Sequence, residues 1–153
     1  MQLTFYSDYS LRVLIYLGLR REAVSTIADI SGSYQISRNH VVKVVHHLSS
    51  LGYIRTIRGR RGGMMLARDP EAINVADVIQ KTEPHFFLVE CFGPDGRCCI
   101  KEHCRLKGVL ELACQSFFLV LGKYTLADLI ENKGQLVSML SDIEVPLRSL
   151  AAL

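Results

Sequence analysis

Four cysteines, Cys91, Cys98, Cys99 and Cys104, lie within a stretch of fourteen residues. Thiolates are soft ligands that suit iron–sulfur clusters or zinc. Pro84, Gly93, Pro94 and Gly96 give the same stretch the composition of a loop, and a loop lets each sulfur turn inward to a shared centre. A structural zinc site usually shows two tight Cys-x-x-Cys knuckles. Neither occurs here, which favours a cluster and leaves zinc as the alternative. A 4Fe–4S cluster needs four ligands. Cys91, one of the Cys98/Cys99 pair and Cys104 supply three, and His85, His103 and Glu90 are nearby candidates for the fourth. Cys114 reads differently: it stands near Leu110, Ala113 and Phe117 in a helical pattern, as a core thiol does.

A second concentration of chemistry is cationic. From Ile36 to Arg68 the chain carries Arg38, Lys43, Arg55, Arg58, Arg60, Arg61 and Arg68, with no Asp or Glu. The whole chain is only +3, so the other 120 residues sum to −4. A cationic surface on an acidic remainder is the footprint expected of a nucleic-acid binder.

The elements that must hold these groups are legible from periodicity. Leu11, Leu14, Ile15 and Leu19 mark a first helix, and Ser7 or Asp8 is placed to cap it. Thr26 and Asp29 have capping-box spacing for a second helix that fades at Gly32–Ser33. A third begins behind Ser37, shows Val41, Val44, Val45, Leu48 and Leu51 on one face, and ends at Gly52. Tyr53–Ile57 and Met64–Ala67 read as two strands joined by a glycine-rich tip that bears Arg58, Arg60 and Arg61. Asn74 caps a short helix through Ile79. Residues 84–104 form the cysteine loop, a long helix runs from about Arg105 to Leu121, and Thr125 starts a last one through Ile130.

Three helices followed by a basic hairpin is the order of a winged helix-turn-helix. The predicted fold is therefore mainly α with a small β-hairpin, extended by a long helix. The end of the third helix that would enter a major groove is Ser37-Arg38-Asn39-His40. Arg can bond guanine bidentately and Asn adenine, while Lys43 suits a phosphate. Arg58, Arg60 and Arg61 sit on a tip narrow enough for a minor groove. The long helix carries Leu106, Val109, Leu110, Ala113, Phe117, Val120 and Leu121, a wide apolar stripe for a small domain to cover. Pairing two such helices would bury it, and a two-fold homodimer would match a palindromic operator on double-stranded DNA.

At 153 residues and 49% apolar composition, the chain has the size of one domain with an accessory element. No apolar run approaches the length of a membrane helix, and no signal-peptide pattern opens it. A cytoplasmic protein that does not engage a membrane is expected. In that reducing compartment clustered cysteines point to metal or redox chemistry rather than disulfides.

Several blocks resemble the nitric-oxide-sensing NsrR repressors, which share a winged-helix family with IscR. They are Met1-Gln2-Leu3-Thr4, Ser7-Asp8-Tyr9-Ser10-Leu11-Arg12, Ser37-Arg38-Asn39-His40-Val41-Val42-Lys43, Arg58-Gly59 with Gly62-Gly63, Cys104-Arg105-Leu106-Lys107, and Tyr124-Thr125-Leu126-Ala127-Asp128-Leu129. The resemblance covers residues 1–130. It implies a dimeric repressor with one 4Fe–4S cluster per subunit, from which nitric oxide displaces the operator by attacking the cluster. The cluster ligands it implies are Cys91, Cys98 and Cys104, completed by Asp8 of the partner subunit. This chain departs from the pattern in having Cys98-Cys99 where one cysteine is usual, so Cys99 stays an alternative to Cys98. Lys107 stands where an IscR-like protein has a histidine, which disfavours a 2Fe–2S site of that kind.

The expected division is a winged domain over 1–82, a cluster loop over 83–104, a dimerisation helix and C-terminal helix over 105–140, and a tail over 141–153. The competing class is a repressor with structural zinc or direct thiol-based redox sensing. An enzyme is disfavoured, because no nucleotide-binding glycine motif or catalytic triad is present and the basic hairpin would be unexplained.

Overall fold

Thr4 starts the first helix. Its side-chain oxygen accepts from the Ser7 amide at 3.3 Å, and α1 runs Phe5–Leu19. The computed structural model describes residues 2–83, 87–94 and 96–141. The sequence pointed to Ser7 or Asp8 as the cap. Neither takes that role, because Ser7 is buried against Thr82 and Asp8 is paired with Arg12.

Thr26 and Asp29 form the expected capping box, with bonds of 2.8 and 3.2 Å, and open α2 (Ile27–Tyr34). It ends at Gln35, which takes a left-handed φ of 54°. The third helix, α3 (Arg38–Ser50), begins behind Ser37 as expected, and Val41, Val44, Val45 and Leu48 face the core. Strands β1 (Ile54–Ile57) and β2 (Gly63–Leu66) pair antiparallel, from Ile54 opposite Leu66 to Ile57 opposite Gly63. A further bridge, Ser25 to Met64, pins the hairpin to the segment ahead of α2. Gly59 at the tip has a φ of 117°, a conformation that suits glycine. Asn74 caps α4 (Val75–Thr82), which extends one turn beyond the expected end at Ile79.

The core gathers Val13, Leu14, Tyr16 and Leu17 of α1, Ile30 of α2, the inner face of α3, Tyr53 and Met64. This is a winged helix-turn-helix.

A 3₁₀ turn at Glu90–Phe92 and then α5 (Arg105–Leu121) follow. Next comes α6 (Leu126–Leu129), whose Leu126 enters the core beside α1. Gly18 permits that approach: a Cβ there would lie 3.0 Å from Ile130 Cδ1. The chain does not end its helices at Ile130, as the sequence suggested. A seventh helix, α7 (Lys133–Ser141), follows, and Leu140 packs against the core. Gly134 and a mixed pattern hid it. Among the described residues no helix is long and apolar enough to cross a membrane.

Candidate nucleic-acid interface and cysteine loop

The outer face of α3 is built by the same periodicity that fills its inner face. With Val41, Val44, Val45 and Leu48 buried, Arg38, Asn39, His40, Val42, Lys43 and His46 are left exposed. Ser37 stands exposed at the N-cap, where the free amides of the first turn favour phosphate. Sequence reasoning selected Ser37, Arg38, Asn39, His40 and Lys43 but missed Val42 and His46. Their spacing of three and seven residues from Asn39 was the available signal. Val42 is 51% exposed, and an aliphatic group on such a face suits the methyl of thymine.

The hairpin holds Arg58, Arg60 and Arg61 on an exposed tip. Arg55 is also exposed, with Nη2 3.8 Å from Met65 Sδ. The cationic segment is thus two surfaces, the helix face and the wing.

Behind α3 lies the start of α1. The Tyr6 hydroxyl donates to the Lys43 carbonyl at 3.3 Å, the Tyr6 ring lies 5.6 Å from that of His47, and the Tyr9 ring lies 5.9 Å from that of His40. Asp8 shares this turn. Arg12 holds its carboxylate in a fork, Nε to Oδ1 at 3.1 Å and Nη2 to Oδ2 at 2.9 Å. The guanidinium also lies 5.8 Å from the Tyr34 ring centroid, and burial pushes the Tyr34 phenol up to about 12.

The cysteine loop is rooted at the end of α4. Cys91 is half-buried on the 3₁₀ turn, Cys98 and Cys99 are exposed, and Cys104 is half-buried at the N-cap of α5. Backbone bonds from Lys101 to Cys98 and from His103 to Ile100 wind the chain towards Cys104. The loop closes tightly on Cys91: a Cβ on Gly96 would lie 2.7 Å from the Cys91 Cα. Cys114 is not a core thiol. No residue of α5 is buried in the subunit, and Cys114 lines a cleft of about 690 Å³ together with Cys91 and Phe118. Of the nearby alternatives for a fourth ligand, Glu90 and His103 are exposed, and His85 lies outside the described residues.

Among the described residues no three Cys, His, Asp or Glu side chains converge as a ready metal site. The donor chemistry fits a cluster all the same. All five cysteines are unbridged, four share one loop, and Cys104 stands at the end of a helix whose free amides favour negative charge.

The family model of Rrf2, described as an iron-dependent transcriptional regulator, matches residues 3–132. The chain belongs to the Rrf2 family. It is 49% identical over 142 residues to the HTH-type transcriptional regulator NsrR of Bacillus subtilis, covering 92% of this chain and 97% of that protein. Among solved structures, T. potens IscR shares the fold with a TM-score of 0.70 at 23% identity, over 86% of this chain and 88% of that one. CymR, the global cysteine regulator of B. subtilis, has a TM-score of 0.66 at 25% identity, over 86% and 98%. This Rrf2 chain is accordingly a DNA-binding transcriptional regulator and not an enzyme. The Rrf2 match also spans the cysteine loop and α5, so the loop belongs to the regulator's fold rather than to an appended segment.

Proposed function

We propose that the chain is a cytoplasmic repressor that binds a palindromic operator as a homodimer and releases it when nitric oxide reaches a 4Fe–4S cluster. The observation that carries this reading is the junction of a four-cysteine loop with a basic winged helix, in a chain close to NsrR regulators over nearly its whole length. Cys91, Cys98 and Cys104, with Asp8 of the partner subunit, would hold the cluster, and Cys99 is the alternative to Cys98. The cluster, when bound, supplies iron that reacts with nitric oxide.

The protein's own residues do the rest. Arg38 and Asn39 read base edges, and Ser37, His40, Lys43, Arg58, Arg60 and Arg61 hold phosphates or the minor groove. Homodimer formation is supported by α5, which leaves Leu106, Val109, Leu112 and Leu119 each at least 60% exposed in one subunit. Apolar exposure on that scale calls for a partner surface. Asp8 sits on the helix that backs α3, so a carboxylate shared with the other subunit would link one loop to the other reading head.

Visible absorbance of protein purified without oxygen tests the reading. A brown protein that loses its colour in Cys91→Ser and Cys104→Ser, but keeps it in Cys114→Ser, supports it. Colourless protein with stoichiometric zinc favours the zinc or thiol-sensing alternative. Comparing Cys98→Ser with Cys99→Ser identifies the ligand of that pair.

A further inference from the structure

Arg68 belongs to the cationic segment, yet its side chain is used away from the helix face and the tip. It follows β2 and turns back to the C-terminal end of α3. Its Nε donates to the Gly52 carbonyl and its Nη2 to the Leu51 carbonyl, each at 2.9 Å. These acceptors lie just past the last turn, where a helix leaves carbonyls unsatisfied and its dipole favours a cation. The guanidinium carbon also lies 4.6 Å from the centroid of the Tyr53 ring, within cation–π range.

Tyr53 is a fixed seat for that contact. It is fully buried, and its hydroxyl donates to Asp77 of α4 at 2.5 Å, with Lys81 on the same carboxylate at 2.8 Å. Its backbone joins three elements: its amide donates to the Leu48 carbonyl of α3, and its carbonyl accepts from Ala67 beyond β2, both at 2.9 Å. The strands of the wing are only four residues long, and its tip is exposed. The direction of the tip therefore depends on how its root is held. At one strand the chain itself runs from α3 through Gly52 and Tyr53. At the other, Arg68 makes the connection through space.

We propose that Arg68 is a positioning residue, setting the wing at the angle to α3 that lets the wing arginines and the α3 N-terminus engage one duplex together. The proposal rests on the reading of these two surfaces as the DNA interface. Its rival is that Arg68 is one more phosphate contact.

Salt dependence and a double-mutant cycle separate the two. Operator affinity is measured against salt concentration for the wild type, Arg68→Met, Arg68→Lys, the pair Arg60→Ala/Arg61→Ala, and that pair combined with Arg68→Met. Both Arg68 variants should bind roughly tenfold more weakly with the salt slope unchanged, since no phosphate contact is lost. Lys fails to rescue because it keeps the charge but not the two-pronged donor. In the background lacking Arg60 and Arg61, Arg68→Met should cost about threefold or less, because residues acting through one another are non-additive. A slope reduced by about 0.9 in Arg68→Met and restored by Lys would make Arg68 a phosphate contact and overturn the proposal. Additive losses, or wild-type affinity in both Arg68 variants, overturn it too. Arg68→Lys carries the test if Arg68→Met does not fold. If the Arg60→Ala/Arg61→Ala pair alone binds like the wild type, the wing is outside the interface and the underlying DNA reading fails with the proposal.

Discussion

The hydroxyls of Ser7 and Thr82 are hydrogen-bonded at 2.9 Å in a buried site, joining the first turn of α1 to the last turn of α4. Beside them Glu83 accepts from the Thr4 amide at 2.7 Å and from the Thr4 hydroxyl at 3.1 Å. The cysteine loop departs directly after Glu83, and Asp8 directly follows Ser7. The root of the loop and the helix behind α3 are therefore one joined unit within a subunit.

Ser7→Ala tests that joint. Removing one hydroxyl leaves the buried Thr82 oxygen with fewer partners, which should cost about 1 kcal/mol of stability. Urea denaturation would read it as a lower midpoint at unchanged slope. An unchanged midpoint would mean the Thr82 bond to the Val78 carbonyl, also 2.9 Å, is sufficient alone.

The core of this fold was legible because its residues obey local rules. Thr26 with Asp29, Asn74 ahead of α4, and the inner stripe of α3 each announce an element within a few residues. The cap of α1 was misread for a reason that no local rule carries: Ser7 faces Thr82, seventy-five positions away. Cys114 was misread because the pattern of α5 shows an apolar stripe without saying whether its own subunit covers it. Arg68 was counted with the cations by charge, and only its seat on Tyr53 separates it from Arg60 and Arg61. The site residues themselves were chosen by chemistry and spacing. The helix face could have been completed with Val42 and His46 by carrying that spacing one turn further.

Arg38 and Val42 should differ from the wing in what their loss does. Arg38→Ala should weaken discrimination among operator variants by about 1–3 kcal/mol if it reads a base. Val42→Ala should relax preference only where a thymine methyl is replaced. Competition binding against single-base operator variants measures both. A uniform loss across all variants would make Arg38 a phosphate contact instead.

Asp77 predicts a pH signature. Burial pushes its carboxyl up, but the bonds from Lys81 and Tyr53 outweigh that and hold it below the ordinary carboxylate value. A carboxylate depressed in the folded state contributes stability above its unfolded pKa, and that contribution is lost as pH falls through the folded pKa. Asp77→Asn should therefore be less stable than the wild type near neutral pH, and the gap should close on acidification below about pH 4. Urea midpoints across pH would show it. A gap of constant size would rule out the ion pair as its source.

The apolar face of α5 predicts an oligomer. Leu112 is 64% exposed and Leu119 69% in the single subunit. Charging the first, as Leu112→Glu, places a carboxylate where a symmetric partner would bury it. Sedimentation should then show monomer at concentrations where the wild type is a dimer. A dimer of undiminished stability would move the interface off this face.

The last prediction concerns Asp8, whose carboxylate is forked by Arg12 on its own helix. To serve the partner's cysteine loop it must leave that guanidinium, so its two engagements exclude each other. The exchange would be felt at α3, because Tyr9, beside Asp8, stacks near His40, and Tyr6 bonds the Lys43 carbonyl. A two-fold reader needs both recognition helices seated at once, and a ligand from one subunit's α1 to the other's loop would fix their spacing. Asp8→Ala, assembled with cluster without oxygen, should keep its visible absorbance on three cysteines while its operator affinity falls to that of the apo-protein. The absorbance reports the cysteines and the affinity reports the clamp, so the two roles separate in one sample. Should the variant bind as tightly as the wild type and still release DNA on addition of nitric oxide, the clamp is wrong. The signal would then have to pass through the Thr82–Ser7 joint inside each subunit, and Ser7→Ala would become the variant that uncouples sensing from DNA binding.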